Sequence, residues 1–347
     1  MKINSIDRPD PNGLGGQPAS PKVRHLGSEE SKMNPIHFPE FLEGNPYILG
    51  EGAVIERLRR NSDLELDSNI VNSAFIYDAS KRAALESIYR QYLDIGCKYD
   101  LPLLLSTPTW RASRERIANA GYGGKDVNGD NFRFLDALRN SYGAYAQKVV
   151  VCGLLSCRGD AYNPAEALAA ADAHEFHTWQ AMMLAEAGVD FLLAATLPAL
   201  SEAIGLASAL GATGKPYIVS FVVRPEGTLL NGTPLKEAID AIDAAVSPRP
   251  LAYLVNCTHA SIFRAALLHE VNSSLRVRER VVGLLANTAA LNPEELDHRV
   301  DLVEEAPETF GQSVAGLHGE LGMKILGGCC GTDDRHIRYL ATQLASG

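Results

Sequence analysis

The feature that most restricts this chain is an alternation of short apolar runs with longer amphipathic stretches. Eight runs recur after residue 46, at 47–50, 101–106, 148–153, 190–196, 216–221, 251–256, 281–286 and 324–327. Most are continuous stretches of β-branched or aliphatic residues, as expected of parallel strands covered on both faces. Between them, residues 80–93 repeat Ala84, Leu85, Ile88 and Tyr92 on one helical face. Residues 164–187, 201–210, 234–245, 260–270 and 333–344 carry the same period. Asn163 before Pro164 and Thr233 before Pro234 read as caps followed by proline at the first helical position. Eight strand–helix units in about 300 residues predict an α/β fold, a single-domain (β/α)8 TIM barrel over 45–347. A doubly wound open sheet is the competing architecture. Residues 1–44 lack either period and hold Pro9, Pro11, Pro18, Pro21, Pro35 and Pro39, so they read as an irregular N-terminal arm.

Charge and hydropathy narrow the function classes. Lys plus Arg number 32 and Asp plus Glu 42, for a formal net charge of −10, which argues against a nucleic-acid partner. No apolar run reaches the roughly 18–20 residues of a membrane span, and no secretory signal pattern opens the chain. The expected compartment is the cytoplasm, where thiols stay reduced. Small molecules are the expected partners, and a homo-oligomer is left open.

Six cysteines then need a role: Cys97, Cys152, Cys157, Cys257, Cys329 and Cys330. In a barrel the chemistry sits at the C-terminal ends of the strands. Cys257 follows the sixth run, and the pair Cys329–Cys330 follows the eighth, within Gly327-Gly328-Cys329-Cys330-Gly331-Thr332. All three sulfurs are expected at one mouth. Three converging thiolates make a soft metal site for which zinc is the usual occupant, and three protein ligands leave a fourth position open, as in catalytic sites. Such a site is formally anionic, a poor activator of water but suited to keeping a bound thiol nucleophilic. Buried structural cysteines and a redox dithiol are the alternatives. Cys97, Cys152 and Cys157 read as space-filling.

These motifs resemble the homocysteine S-methyltransferase family. Asn256-Cys257 and the glycine-flanked cysteine pair, followed by Asp333, Arg335, His336 and Ile337, carry the likeness. Glu186-Ala187-Gly188-Val189-Asp190, Glu202-Ala203, Ser220-Phe221-Val222-Val223 and Arg158-Gly159-Asp160-Ala161-Tyr162 add to it. The resemblance implies a zinc-dependent methyltransferase whose ligands are Cys257, Cys329 and Cys330. Its acceptor is a thiol such as homocysteine, its donor a sulfonium or quaternary ammonium compound, and no organic cofactor is needed. Residues at strand ends are then expected to bind substrate: Glu51 an ammonium, Thr196 and Asn287 a carboxylate. Asn256 is expected to orient the metal loop, and His259 to cap the following helix. Trp110 is either packing or a wall for a methylated cation.

The chain also departs from the family pattern. Glu51-Gly52 stands where the family has Asp-Gly, and Ala195 stands where the family has a glutamate before threonine. A barrel that binds zinc but uses another thiol acceptor, or does not transfer methyl groups, is therefore the alternative function.

Overall fold

The computed structural model describes residues 36–291 and 304–346. Each predicted run holds one strand: β1 Ile48–Gly50, β2 Leu103–Ser106, β3 Val149–Ser156, β4 Phe191–Leu197, β5 Tyr217–Phe221, β6 Ala252–His259, β7 Val281–Asn287 and β8 Ile325–Gly328. They pair in chain order, all parallel, and β8 returns to β1 through Ile48 opposite Ile325 and Leu49 opposite Leu326. That closure excludes the open doubly wound sheet, which would leave two edges. The fold is a (β/α)8 barrel.

The helices are α1 Phe38–Gly44, α2 Ile55–Arg59, α3 Ala79–Tyr99, α4 Arg114–Asn119, α5 Val127–Asn140, α6 Ala170–Ala187, α7 Leu200–Gly211, α8 Leu235–Ala245, α9 Ala260–Leu268, α10 Leu275–Arg280, α11 Pro307–Leu321 and α12 Asp334–Ser346. Among the described residues none is long and apolar enough to cross a membrane.

The buried runs divide their side chains by the period of two. Along β4, Phe191, Leu193 and Ala195 join Ile48, Leu104, Val150, Ile218, Leu254 and Ile325 in one cluster lining the barrel interior. The alternate Leu192, Ala194 and Leu197 belong to the larger cluster shared with the helices. A register shift between Ala194 and Leu197 breaks the alternation at the top of β4.

Three sequence expectations change. The irregular arm is expected to reach residue 44, but residues 38–44 form α1, with Phe38 and Leu42 buried one turn apart. Phe38 enters the inner cluster and stacks on Phe191, ring centroids 3.7 Å apart, so this apolar i, i+4 pair plugs the barrel floor. Residues 1–35 of the arm lie outside the described residues. The helix predicted over 164–187 divides into a single 3-10 turn, Pro164–Glu166, and α6 starting at Ala170. Asn163 caps the short turn as expected, accepting from the Ala165 N–H. At α8 the helix starts after Pro234 rather than at it, and no side chain caps it.

Candidate metal centre

The last residues of β6 and the turn after β8 build the site. Within β6 the pairing with β7 shifts between Asn256 and Thr258, a bulge of the kind that re-aims a side chain beside an active site. Cys257 lies in it with φ of 53°, a left-handed conformation unusual for a residue with a side chain. Within β8, Gly327 lets two strands approach closely, since a Cβ there would lie 2.6 Å from the Gly50 Cα. Gly331 has φ of 83°, and its missing side chain leaves room for Thr288. The turn is tied by the Cys329 N–H to Ala286 O at 2.7 Å, the Thr288 N–H to Cys330 O at 3.2 Å, and the Thr332 hydroxyl to Cys329 O at 2.6 Å.

The result is the convergence predicted from the strand ends: the Sγ atoms of Cys257, Cys329 and Cys330 all lie within 4.8 Å of one another. Three thiolates on one tetrahedral zinc, with Zn–S near 2.3 Å, would stand about 3.8 Å apart, so modest side-chain adjustment closes the set on a metal. Cys257 and Cys329 have Cα atoms 5.5 Å apart and their sulfurs in disulfide contact, while Cys330 is free. A disulfide there and a bound metal are alternatives, because the metal requires thiolates. Packing around the Cys330 thiol, and next the Glu56 carboxylate, push it up to about 11. A divalent cation would reverse that balance.

Asn256 supports the cluster from behind. Its Nδ2 donates to Thr196 Oγ1 at 2.6 Å and lies 3.3 Å from Cys257 Sγ. Its Oδ1 accepts from the Thr196 N–H at 2.8 Å and the Ser220 hydroxyl at 2.6 Å. Thr196, with φ of 59°, is therefore bound into the scaffold of Cys257 through its N–H and its oxygen, with Oγ1 3.9 Å from Cys257 Sγ. Val222 and Leu230 pack against Cys257, with Tyr162 and Cys329 alongside, which gives these two cysteines apolar neighbours, while Cys330 is exposed.

Glu51 directly follows β1 and Asn287 ends β7, the two strands that flank β8. Glu51 is buried, with Oε1 accepting from the Ser106 N–H at 3.1 Å. Its Oε2, and Asn287 Oδ1, are buried without a partner among the described residues. Burial, outweighing the Ser106 contact, pushes the Glu51 carboxyl up to about 8. Asn287 Oδ1 is an acceptor, and Glu51 Oε2 becomes one when the carboxyl ionises, so they suit a donor such as an ammonium. Ala195 lies in the apolar inner cluster, and its carbonyl accepts from the Ser156 hydroxyl at 2.9 Å.

The remaining residues fall into place around this. His259 caps α9 as expected, with Nδ1 2.7 Å from the Ser261 hydroxyl. The Trp110 ring already carries a cation, the Arg111 guanidinium 4.6 Å from its centroid. Cys152 and Cys157 are buried, and burial raises both thiols. Cys97 is exposed on α3, so it does not fill space: a helix that packs one face leaves its other to solvent. Sequence reasoning assigned no role to Tyr162 or Glu56, which approach Cys330 from elements remote in the chain.

A barrel with three cysteine sulfurs at its C-terminal mouth defines a class, and comparison with known proteins gives the family. The family model described as homocysteine S-methyltransferase matches residues 48–344, and the chain belongs to that family. As a member it is an S-methyltransferase. It is 23% identical over 326 residues to betaine–homocysteine S-methyltransferase 1 of Bos taurus, covering 88% of this chain and 74% of that one. It is 30% identical over 190 residues to homocysteine S-methyltransferase of Escherichia coli strain K12, covering 53% and 55%. Among solved structures, the homocysteine methyltransferase MmuM from Escherichia coli in its metallated form superposes with a TM-score of 0.68 at 20% identity, over 88% of this chain and 99% of that one. The same protein in its oxidized form superposes with a TM-score of 0.70 at 20% identity, over 90% and 100%.

Proposed function

We propose that this protein transfers a methyl group from a sulfonium or quaternary ammonium donor to a zinc-bound thiol such as homocysteine. The observation that carries the reading is the meeting of the Cys257, Cys329 and Cys330 sulfurs at the barrel mouth. These three residues would hold the zinc. When bound, the metal would take the acceptor sulfur as thiolate and keep it nucleophilic near neutral pH.

The chain's own residues supply the rest. The Asn256 amide near Cys257 Sγ fixes one ligand, and the ties from Ala286, Thr288 and Thr332 fix the turn that bears the other two. Glu51, with Asn287 across β8, offers acceptors to the ammonium of an amino-acid thiol. In the transfer the acceptor sulfur forms a bond to the methyl carbon as the donor's bond to sulfur or nitrogen breaks. The leaving sulfide or amine takes that electron pair and becomes neutral. Opposite charges vanish in this step, so the apolar surroundings of Val222 and Leu230 favour it over an aqueous setting. A reducing cytoplasm, where the three thiolates persist, is the compartment that fits.

The test is a metal assay on purified, reduced protein, coupled to a screen of S-methylmethionine, S-adenosylmethionine and betaine against several thiols. One zinc per chain with turnover supports the reading; absence of both overturns it. Ala195 favours a second reading, in which the natural acceptor is a thiol other than homocysteine, because the apolar inner cluster holds no carboxylate at that place. If Ala195→Glu creates homocysteine methylation that the parent lacks, that second reading is the correct one.

A further inference from the structure

The segment between β3 and α6, residues 157–169, reaches across to the cysteines. Its Tyr162 packs against the cluster of Val222, Leu230 and Cys257, and Cys330 lies beside its hydroxyl. What holds this segment is a single carboxylate on another element. Glu202, in the first turn of α7, has no exposed surface. Its Oε1 accepts from the Arg158 N–H at 2.7 Å, and its Oε2 accepts from the Leu168 N–H at 3.2 Å. The two donors bracket Tyr162. His177, equally buried on α6, adds a contact from Nε2 to Oε1 at 2.9 Å, while its Nδ1 has no partner among the described residues. The Arg158 end has further support: Arg111 donates to Arg158 O at 3.0 Å and Gly159 O at 2.6 Å, and Arg116 to Arg158 O at 3.2 Å. For Leu168 N–H the Glu202 carboxylate is the partner.

We propose that Glu202 is a positioning residue for the metal centre: by gripping Arg158 N–H and Leu168 N–H together, it keeps Tyr162 against Cys330. This rests on the reading of the cysteines as metal ligands. Besides His177 on α6, this carboxylate bonds to two amides of an irregular segment whose Tyr162 packs against the cluster around Cys257. Replacing one oxygen with an amide nitrogen turns an acceptor into a donor facing another donor, so one grip is lost while size is kept.

The test compares Glu202→Gln, Tyr162→Phe and the double variant in the reduced full-length protein. Hydrogen exchange should rise at least tenfold at whichever of Arg158 and Leu168 loses its acceptor in Glu202→Gln, and stay unchanged at both in Tyr162→Phe. In cobalt(II)-loaded protein, the sulfur-to-cobalt absorption should shift alike in both single variants, with no further shift in the double. A lowered melting temperature without those changes would reduce Glu202 to a structural residue, and unchanged exchange would overturn the proposal outright. If Glu202→Gln fails to fold, Leu168→Pro removes one grip alone and should give the same spectral shift. If the parent protein binds no cobalt, the metal reading falls. Site-specific alkylation of Cys330 in metal-free protein then decides the latch: several-fold faster in Glu202→Gln and Tyr162→Phe supports it, and parental rates refute it.

Discussion

Glu51 offers the sharpest test of how the acceptor is held. Its carboxyl is buried at the end of β1, one oxygen bonded to the Ser106 N–H and the other unpartnered among the described residues. Burial moves it from 4.5 to about 8. At pH 7 the free protein therefore carries Glu51 mostly protonated. Holding it ionised in that setting costs on the order of 5 kcal/mol relative to a solvated carboxyl. An acceptor bearing an ammonium supplies the missing counter-charge, and binding then draws the proton off Glu51. The thiol loses its own proton on becoming a thiolate. At pH 7 an amino-acid thiol should thus release roughly two protons, and a thiol lacking the amino group roughly one.

Calorimetry in buffers of different ionisation enthalpy reads that count directly. Glu51→Gln should remove about one proton from the count for homocysteine. It should weaken homocysteine binding by about 2–5 kcal/mol, as for a charge pair losing one partner out of water. It should leave a simple alkanethiol nearly unaffected. Below pH 8 the parent's affinity for homocysteine should also rise more steeply with pH than that of the variant. The same shift has a stability consequence with a fixed sign. The folded state binds this proton more tightly than the unfolded chain, so the contribution is full below about pH 4.5 and is lost as pH rises through 8. Glu51→Gln should therefore melt higher than the parent at pH 9. Equal proton counts and equal affinities in parent and variant would refute the assignment of Glu51 to an ammonium.

Three further outcomes are expected. Cys330→Ala and Cys257→Ala should each abolish stoichiometric zinc by metal analysis while circular dichroism keeps the barrel signature; full zinc in either would remove that residue from the ligand set. Phe38→Ala empties the barrel floor beneath Phe191 and should cost about 3–5 kcal/mol in denaturant unfolding, with metal content unchanged. Asp190→Asn should cost a similar 3–5 kcal/mol, because it leaves the buried Arg139 guanidinium short of a partner 2.5 Å away and weakens the bond to the Val151 N–H at 2.7 Å.

The strands were legible because burial on both faces leaves a continuous apolar run, and all eight runs hold one. The cysteine convergence followed from the same register, since the ends of β6 and β8 share one rim of a closed barrel. What failed did so for local reasons. Phe38 and Leu42 are two apolar residues in a proline-rich stretch, too short a pattern to announce a helix, and it is the space beneath Phe191 that orders them. The break between the Pro164–Glu166 turn and α6 is set by a carboxylate on α7 bonding to Leu168, a partner that no helical period in residues 164–187 reveals. Tyr162 was visible only as part of a matching stretch, because irregular segments have no period to fix where their side chains point.

Strain at the site explains why Asn256 is adjacent to Cys257. Thr196 and Cys257 are both left-handed without being glycine, at φ of 59° and 53°. Each such residue costs on the order of 1–2 kcal/mol, so the pair persists only if something over-determines it. One side chain does so. The Asn256 amide receives the Thr196 N–H, donates to the Thr196 hydroxyl, and lies against the neighbouring sulfur, while Ser220 fixes its oxygen. The bulge in β6 and the shift in β4 are thus two halves of one device, bridged across β5, that turns Cys257 toward the cysteines of β8. Thr196 belongs to that device, which accounts for the separation of roles at this rim. The residues of β4 and β6 shape the setting of Cys257, while the unpartnered oxygens of Glu51, after β1, and Asn287, in β7, take no part in that device.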